Sequence, residues 1–216
     1  MAPEFALFLG EFSTLLALVN PLEAVSVFLS LTRDDSAKQR RSIAVRSCLY
    51  ALLLMFFFLI FGNLILRIFG VPLSMVRMAG GLILIRIGFG LFSDPESQLA
   101  AASPGATPEQ PDIAFVPFAM PIMFGPGGIA TIIGMTSLVT HSRTQLSSFL
   151  AVASAIVLTM ATTFLFLFHA QRILKIVGAR GVDAVTRIIG FFVATMGMSL
   201  LFDGAVAAVK ASGLIL

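Results

Sequence analysis

Six long apolar segments, separated by short polar stretches, run along the chain. They span approximately residues 5–31, 48–66, 71–92, 113–140, 146–168 and 188–206. Apolar side chains occupy successive positions without the strict alternation of membrane β-strands, so each segment predicts a helix whose backbone groups bond to one another. A membrane-spanning helix needs about 20 such residues. The pattern therefore predicts an all-α polytopic membrane protein with six transmembrane helices.

The first and fourth of these segments contain residues that interrupt a helix. Asn20-Pro21 divides the first segment, and a Gly-Pro-Gly-Gly run at residues 125–128 divides the fourth. Proline has no N–H and clashes with the carbonyl four residues before it, so each proline opens its helix. Backbone groups freed in this way persist at membrane depth only when protein buries them or when they line an aqueous cavity. Two interrupted helices therefore predict a binding site.

The interruptions also fall at corresponding positions of an internal repeat. At an offset of 105 residues Asn20-Pro21 falls on Gly125-Pro126, and at an offset of 110 Arg77 falls on Arg187. Three spans per half is an odd number, so the second half would insert upside down, as in many secondary transporters. The predicted organisation is a three-helix repeat over residues 1–92, a flexible linker over 93–112 and an inverted three-helix repeat over 113–216.

Composition supports membrane burial and excludes several classes of protein. Hydrophobic residues make up 58% of the 216 positions and charged residues 12%, against about 45–50% and about 25% in soluble domains. The basic residues form no stripe of the kind that binds nucleic acid. The one cysteine excludes a thiol–disulfide carrier. The sequence contains no ATP-binding loop, metal-ligand spacing or hydrolase nucleophile motif, so we expect no enzymatic activity, metal or cofactor.

The basic residues predict an orientation in the membrane. One side of the predicted bundle carries Arg33, Lys38, Arg40, Arg41, Arg46, Arg172, Lys175, Arg180 and Arg187, and the other carries Arg67, Arg77, Arg143 and Lys210. Cytoplasmic loops are enriched in Lys and Arg, so we expect both termini on the periplasmic side. No cleavable leader pattern precedes the first segment, which we expect to be retained.

Around both interruptions the sequence resembles the MarC family of bacterial inner-membrane proteins. Residues 20–32, Asn-Pro-Leu-Glu-Ala-Val-Ser-Val-Phe-Leu-Ser-Leu-Thr, are similar to the family's Asn-Pro opening, and residues 117–131 are similar to its Gly-Pro-Gly segment. Residues 77–82 and 187–190, with Asp203-Gly204 further along, resemble its third and sixth spans. The resemblance implies six spans, a location in the bacterial inner membrane and transport of small neutral amino acids.

Charged residues within the spans are candidates for coupling. Glu23 stands where the family usually has Gly, Ser26 stands where it usually has Pro, and Arg86 falls inside the third span. A charge near the bilayer centre costs at least about 2.5–3.5 kcal/mol on insertion scales. Glu23, Arg86 and Asp203 are therefore the predicted intramembrane coupling residues. We expect Glu23 and Arg86 to neutralise each other as an ion pair, directly or through water.

Contacts to substrate are predicted at both interruptions. The exposed N–H groups of a half-helix N-terminus favour a carboxylate, while freed carbonyls and the Asn20 side chain suit an ammonium group. Hydroxyl groups one turn further along add polar contacts. The predicted substrate-binding residues are Asn20, Pro21, Ser26, Gly125, Pro126, Gly127, Gly128 and Thr131.

These observations favour a secondary transporter driven by H⁺ or Na⁺, with a small-molecule substrate and the lipid bilayer as its partners. The resemblance makes a neutral amino acid the expected substrate. Two alternatives remain open at this point: a non-transporting membrane scaffold or partner subunit, and an exporter of a different small solute.

Overall fold

A computed structural model of the chain describes residues 3–93, 112–141 and 145–212. Nearly all of these residues are helical and none is in a strand, which confirms the all-α prediction. The helices are α1 (Pro3–Val19), α2 (Pro21–Leu31), α3 (Ala37–Phe69), α4 (Leu73–Ser93), α5 (Ala114–Met123), α6 (Pro126–His141), α7 (Gln145–Phe168) and α8 (Ala170–Ala211). The hydrogen bonding of α5 is of the π type.

Five stretches of the described chain are long and apolar enough to cross a membrane. They are Glu4–Leu31, Ala37–Phe69, Leu73–Phe92, Gln145–Phe168 and Arg180–Ala211. Each contains or largely coincides with one of the six predicted segments. The remaining predicted segment, 113–140, is divided between α5 and α6, so it forms no single helix of that length. The linker predicted over 93–112 falls almost entirely outside the described residues.

Two helices extend well beyond their predicted apolar segments. At the start of α3, the Ser36 side chain accepts from Gln39 N–H, and the Gln39 side chain accepts from Ser36 N–H. This capping box satisfies first-turn donors, so polar residues join the helix before its apolar part. The last helix begins at Ala170, and its helical path is interrupted at Gly178 (φ 71°, ψ 161°). The positive φ there is readily available only to glycine.

The helices before residue 93 pack mainly against the helices after residue 112. α1 and α2 lie against α7 and α8, while α6 lies against α3 and α4, and α5 against α3. Fully buried side chains from several helices form the core, including Phe28, Met55, Phe118, Phe124 and Ile156. Large apolar side chains are also abundant on the outside, where lipid rather than water would solvate them.

The most extensive helix pair, α4 with α8, is built on glycine. A Cβ added at Gly81 would lie 2.6 Å from the carbonyl oxygen of Gly197, and one added at Gly88 would lie 2.6 Å from that of Gly190. The higher number on one helix pairs with the lower on the other, so the two helices are antiparallel. Only glycine permits such direct contact between backbones, as in other closely packed membrane helices. We call this α4–α8 contact the glycine seam.

Candidate functional site

The predicted interruption of the first span is present between α1 and α2. α1 ends at Val19, and α2 begins at the buried Pro21. Between them Asn20 adopts a left-handed conformation (φ 44°, ψ 74°), which Asn and Asp tolerate better than most residues with a Cβ. Asn20 N–H donates to Leu16 O at 3.0 Å, and Ala24 N–H donates to Asn20 O at 3.0 Å. The interruption therefore needs only one residue.

The side chain of Asn20 does not cap α2. Its Nδ2 donates to Glu23 Oε2 at 3.0 Å. Its Oδ1 is buried and has no hydrogen-bond partner among the described residues. The residue as a whole is only 2% exposed. Leaving a buried acceptor unpaired costs about 1–3 kcal/mol. Asn20 Oδ1 is thus a preplaced acceptor for an N–H donor that a ligand could bring.

The predicted interruption of the fourth segment lies between α5 and α6. α5 ends at Met123, Phe124 has non-helical dihedral angles (φ −138°, ψ 86°), and α6 begins at Pro126. The N–H groups of Gly127 and Gly128 are in the buried first turn of α6. Within the described ranges, neither N–H has a backbone acceptor. Free first-turn N–H groups lie at the positive end of the helix dipole, where anions bind.

The two interruptions lie side by side. A Cβ added at Gly128 would lie 2.7 Å from the Phe124 ring and 3.4 Å from Leu18 Cδ2, just before the first interruption. Further along, the rings of Phe28 on α2 and Phe118 on α5 are 5.4 Å apart. The α1–α2 pair and the α5–α6 pair therefore contact each other, on both sides of the two interruptions.

The other predicted substrate contacts differ in their surroundings. Thr131 is buried, and its Oγ1 donates to Gly127 O at 2.9 Å, so its hydroxyl hydrogen is used within α6. Ser26 and Gly125 are half-buried, whereas Pro126 is exposed. The first turn of α6 therefore has one covered and one open side.

The predicted direct ion pair between Glu23 and Arg86 is wrong. Glu23 is half-buried and accepts from Asn20, while Arg86 is exposed on the outer face of α4, one turn from the exposed Phe89. Among the described residues Glu23 and Arg86 form no salt bridge. The reason is helix packing: α2 packs mainly on α7 and α8, and α4 mainly on α8 and α6. Asp203 is likewise exposed, on α8.

A polar cluster that the sequence interpretation missed joins α3 to the start of α5. Arg46 Nη1 lies 3.2 Å from Asp112 Oδ1, and Tyr50 O–H donates to Asp112 Oδ2 at 3.1 Å. Arg46 and Tyr50 are four residues apart, which places them on one face of a helix. That spacing, with an aspartate directly before an apolar segment, was the available signal. The cluster ties the first half of the chain to the second.

Comparisons with known proteins place these features in a wider group. The chain matches the model of the MarC family integral membrane protein over residues 5–209. It is 31% identical over 204 residues to the UPF0056 inner membrane protein MarC of Escherichia coli strain K12, covering 91% of this chain and 92% of that protein. It is 30% identical over 199 residues to the UPF0056 membrane protein MJ1677 of Methanocaldococcus jannaschii (91% and 95% covered). It is 28% identical over 203 residues to YvbG of Bacillus subtilis (93% and 94% covered). No solved structure gives a significant match.

Proposed function

The chain belongs to the MarC family of integral membrane proteins, and from this premise we propose that it is a secondary transporter of small solutes, with neutral amino acids as the substrate class. One observation carries the proposal: two interrupted helices contact each other inside the bundle. Within the described residues, one contributes first-turn N–H groups without a backbone acceptor and the other a buried side-chain oxygen without a partner. Buried polar groups without partners are rare in folded proteins. A polar ligand that bound between the interruptions would supply the missing partners.

The chemistry of the two interruptions suits a zwitterion. The substrate carboxylate accepts from the N–H groups of Gly127 and Gly128, where the dipole of α6 adds favourable electrostatics. The substrate ammonium donates to Asn20 Oδ1. The Glu23 carboxylate, which accepts a hydrogen bond from Asn20 Nδ2, adds negative charge beside this amide. Pro21, Gly125 and Pro126 keep the backbone open, while Ser26 and Thr131 border the site.

Packing supports an architecture of six spans in two inverted repeats, with α5 and α6 together forming the fourth span. The contacts of α1–α2 with α7 and α8 have counterparts in the contacts of α5–α6 with α3 and α4. The pairs α3–α7 and α4–α8 each join corresponding helices of the two halves. A two-fold axis in the membrane plane would generate this set of neighbours, which is the arrangement expected of inverted repeats.

Both termini are assigned to the periplasmic side of a bacterial inner membrane. The basic start of α3 and the basic start of α8 line one cavity and so lie at the same end of the bundle, which suits the cytoplasmic preference of Lys and Arg. The relative from Escherichia coli is named an inner membrane protein. Reporter fusions at Lys38 and Lys210 should lie on opposite sides of the membrane. The same side for both would contradict the inverted topology.

The driving ion is H⁺ or Na⁺, with Glu23 as the coupling carboxylate, and the proposal includes no catalytic residue, metal or organic cofactor. Glu23 is suited to this role because its carboxylate bonds to the side chain that would also contact the substrate. Protonation or cation binding at Glu23 would then change the hydrogen bonding of Asn20.

Uptake by proteoliposomes tests the proposal. Purified protein is screened for uptake of small neutral amino acids under imposed H⁺ or Na⁺ gradients. Asn20→Ala should abolish uptake because it removes the acceptor Oδ1. It also removes the hydrogen bond to Glu23 and places alanine in a left-handed conformation, so uptake is normalised to the amount of folded protein recovered by gel filtration. Asn63→Ala, the same substitution inside the uninterrupted part of α3, serves as the matched control. Wild-type uptake by Asn20→Ala would contradict a site at the interruptions.

A non-transporting scaffold is the second candidate, favoured by one observation: Asn20, Gly127 and Gly128 are buried and closely packed. A cysteine introduced at Asn20 in a Cys48→Ala background, which removes the only native cysteine, separates the two candidates. A transporter must expose this site in part of its cycle, so a polar thiol reagent should modify the cysteine, and substrate should change the rate. Absence of modification in sealed membranes under every gradient would favour the scaffold.

A further inference from the structure

A second polar site lies away from the helix interruptions, at one end of the bundle. A cavity of about 230 Å³ opens where the start of α3 meets the end of α7 and the start of α8. Its polar lining consists of Arg40, Arg41, His169, Gln171 and Arg172, and no described lining residue carries a carboxylate. We propose that this cavity binds a phosphate group, supplied by an anionic phospholipid headgroup or by free phosphate. Three guanidinium groups around one cavity create a positive potential that its own walls do not neutralise.

Arg40 is held in place by the backbone. Its Nη2 donates to Thr32 O at 2.9 Å and to Asp35 O at 3.3 Å. Its Nε is buried and has no acceptor among the described residues. A buried donor on a charged group is costly to leave unpaired. The anchoring carbonyls belong to the α2–α3 connection, and they fix the position of this guanidinium at the wall of the cavity.

Arg41 and Arg172 supply the remaining charge. The guanidinium carbon of Arg41 lies 4.9 Å from the centre of the Phe168 ring, a cation–π arrangement. The neighbouring His169 is fixed by a hydrogen bond from its Nδ1 to Leu165 O at 3.0 Å and by edge-on contact with Phe168. Within the described part of the chain, neither arginine side chain forms a salt bridge. Stacking orients Arg41 while leaving its N–H donors available.

The cavity lies at the depth where lipid headgroups are expected. It is bordered by the ends of membrane-length stretches, one beginning at Ala37 and another ending at Phe168. Between Phe168 and the next such stretch, residues 170–177 form a short helical segment in which Ile176 is 85% exposed and Lys175 is also exposed. Exposed apolar and basic residues on one segment are typical of helices that lie in the membrane interface.

The donor set favours phosphate over other anions. Guanidinium groups bind phosphate oxygens through paired hydrogen bonds, which a single-point cation does not reproduce. The cavity is smaller than the roughly 300–1,000 Å³ of pockets that enclose drug-sized ligands. It therefore fits a headgroup phosphate or a free phosphate ion, with any acyl chains lying outside along the apolar helices.

Lipid retention in nanodiscs tests this proposal without measuring transport. The full chain is placed in phosphatidylcholine with or without phosphatidylglycerol, and retained lipids are counted by native mass spectrometry. Arg41→Gln/Arg172→Gln removes two cavity arginines and leaves the structural anchor Arg40 intact. The matched control, Arg33→Gln/Arg180→Gln, removes two exposed arginines from the same end of the bundle.

We expect the wild-type chain to retain phosphatidylglycerol preferentially, with about a fivefold loss of preference per cavity arginine removed. The control should keep most of its preference. Equal losses in the two variants would indicate general surface potential and overturn the site, as would absence of any preference in the folded wild-type chain. Circular dichroism and gel filtration verify folding, and Arg41→Lys/Arg172→Lys, which keeps the charge, should give an intermediate loss.

A second arm distinguishes the sources of the phosphate. In phosphatidylcholine alone, inorganic phosphate is compared with chloride at equal ionic strength, and the thermal midpoint is recorded. A shift with phosphate that Arg41→Gln/Arg172→Gln abolishes identifies a soluble ligand. The same midpoint is recorded in nanodiscs that contain phosphatidylglycerol. A rise in the midpoint there, without a rise on adding phosphate, identifies a lipid site. No variant-dependent shift with either ligand overturns the proposal.

Discussion

The glycine seam and the paired interruptions are built from the same small residues and use them in opposite ways. At the seam, Gly81 and Gly88 let continuous helices touch along their backbones, and every backbone group there stays inside a helix. At the interruptions, Gly127 and Gly128 lie in a first helical turn whose N–H groups have no backbone acceptor among the described residues. At the seam, glycine lets two helices approach each other closely. At the interruption, it lies where backbone N–H groups lack a backbone acceptor.

The difference shows how a small membrane protein combines rigidity with a polar interior. Close helix packing is stabilised by many weak contacts and by Cα–H···O contacts, and it tolerates little change. Unpaired polar groups weaken the surrounding structure but are available to a ligand. Helices α4 and α8 form the seam, and the interruptions lie between α1 and α2 and between α5 and α6, so the parts of the chain before residue 93 and after residue 112 both contribute to each region.

Substituting glycine in the seam should have the largest effect. Gly88→Ala places a methyl group 2.6 Å from the carbonyl oxygen of Gly190, a backbone atom that has no rotamer by which to move away. We expect a destabilisation of about 1–3 kcal/mol or more. Gly10→Ala on α1, where no atom lies within 4 Å of the added methyl group, should instead stabilise by about 0.5–1 kcal/mol. Thermal unfolding in detergent measures both, and equal effects would refute close backbone packing at the seam.

Substitutions of Glu23 and Arg86 should have effects of intermediate size. A double-mutant cycle on the two residues should show no coupling energy between them. Glu23 is hydrogen-bonded to Asn20 at the first interruption, so Glu23→Gln should reduce transport. Arg86 is exposed on the outside of α4, so Arg86→Gln should mainly change stability. Because the side chains form no salt bridge, their effects on unfolding should add within about 0.3–0.5 kcal/mol. A larger coupling energy would mean that the two residues interact in another conformation of the protein.

Thr131→Val should have the smallest effect and sharpens the definition of the site. The Thr131 hydroxyl already donates to Gly127 O, so the loss is one intrahelical hydrogen bond, worth about 0.5–1.5 kcal/mol. We expect KM for substrate to stay unchanged, in contrast to the loss of uptake in Asn20→Ala. A raised KM with normal stability would make Thr131 a direct substrate contact.

Much of the fold could be predicted from the sequence because lipid imposes simple rules on it. Long apolar runs predicted five of the membrane-length stretches. Asn20-Pro21 and Gly125-Pro126 predicted both interruptions at the correct residues. The starts of α3 and α8 were placed too late, because hydropathy marks only the apolar part of a helix. The capping box at Ser36 carries α3 back into polar sequence, and a periodicity argument alone does not detect it.

The candidate site was less predictable, because side-chain partners depend on helix neighbours. Depth alone suggested that Glu23 and Arg86 would meet, yet depth does not tell which face of α4 Arg86 occupies. Asn20 was identified correctly as a residue of the interruption, but its unpaired Oδ1 and its bond to Glu23 became visible only with the packing in place. The arginine cavity joins residues more than 120 positions apart, and no local pattern links Arg40 with Arg172.

The glycine seam restricts how one half of the protein can move against the other. Its glycines recur every seven residues on both helices, at Gly81 and Gly88 and at Gly190 and Gly197, a spacing of about 10.5 Å along each axis. Sliding α4 along α8 by any smaller step would bring side chains against backbone. α4 therefore cannot slide along α8 without a steric clash. Tilting the interrupted helices against this pair costs less free energy than sliding the pair.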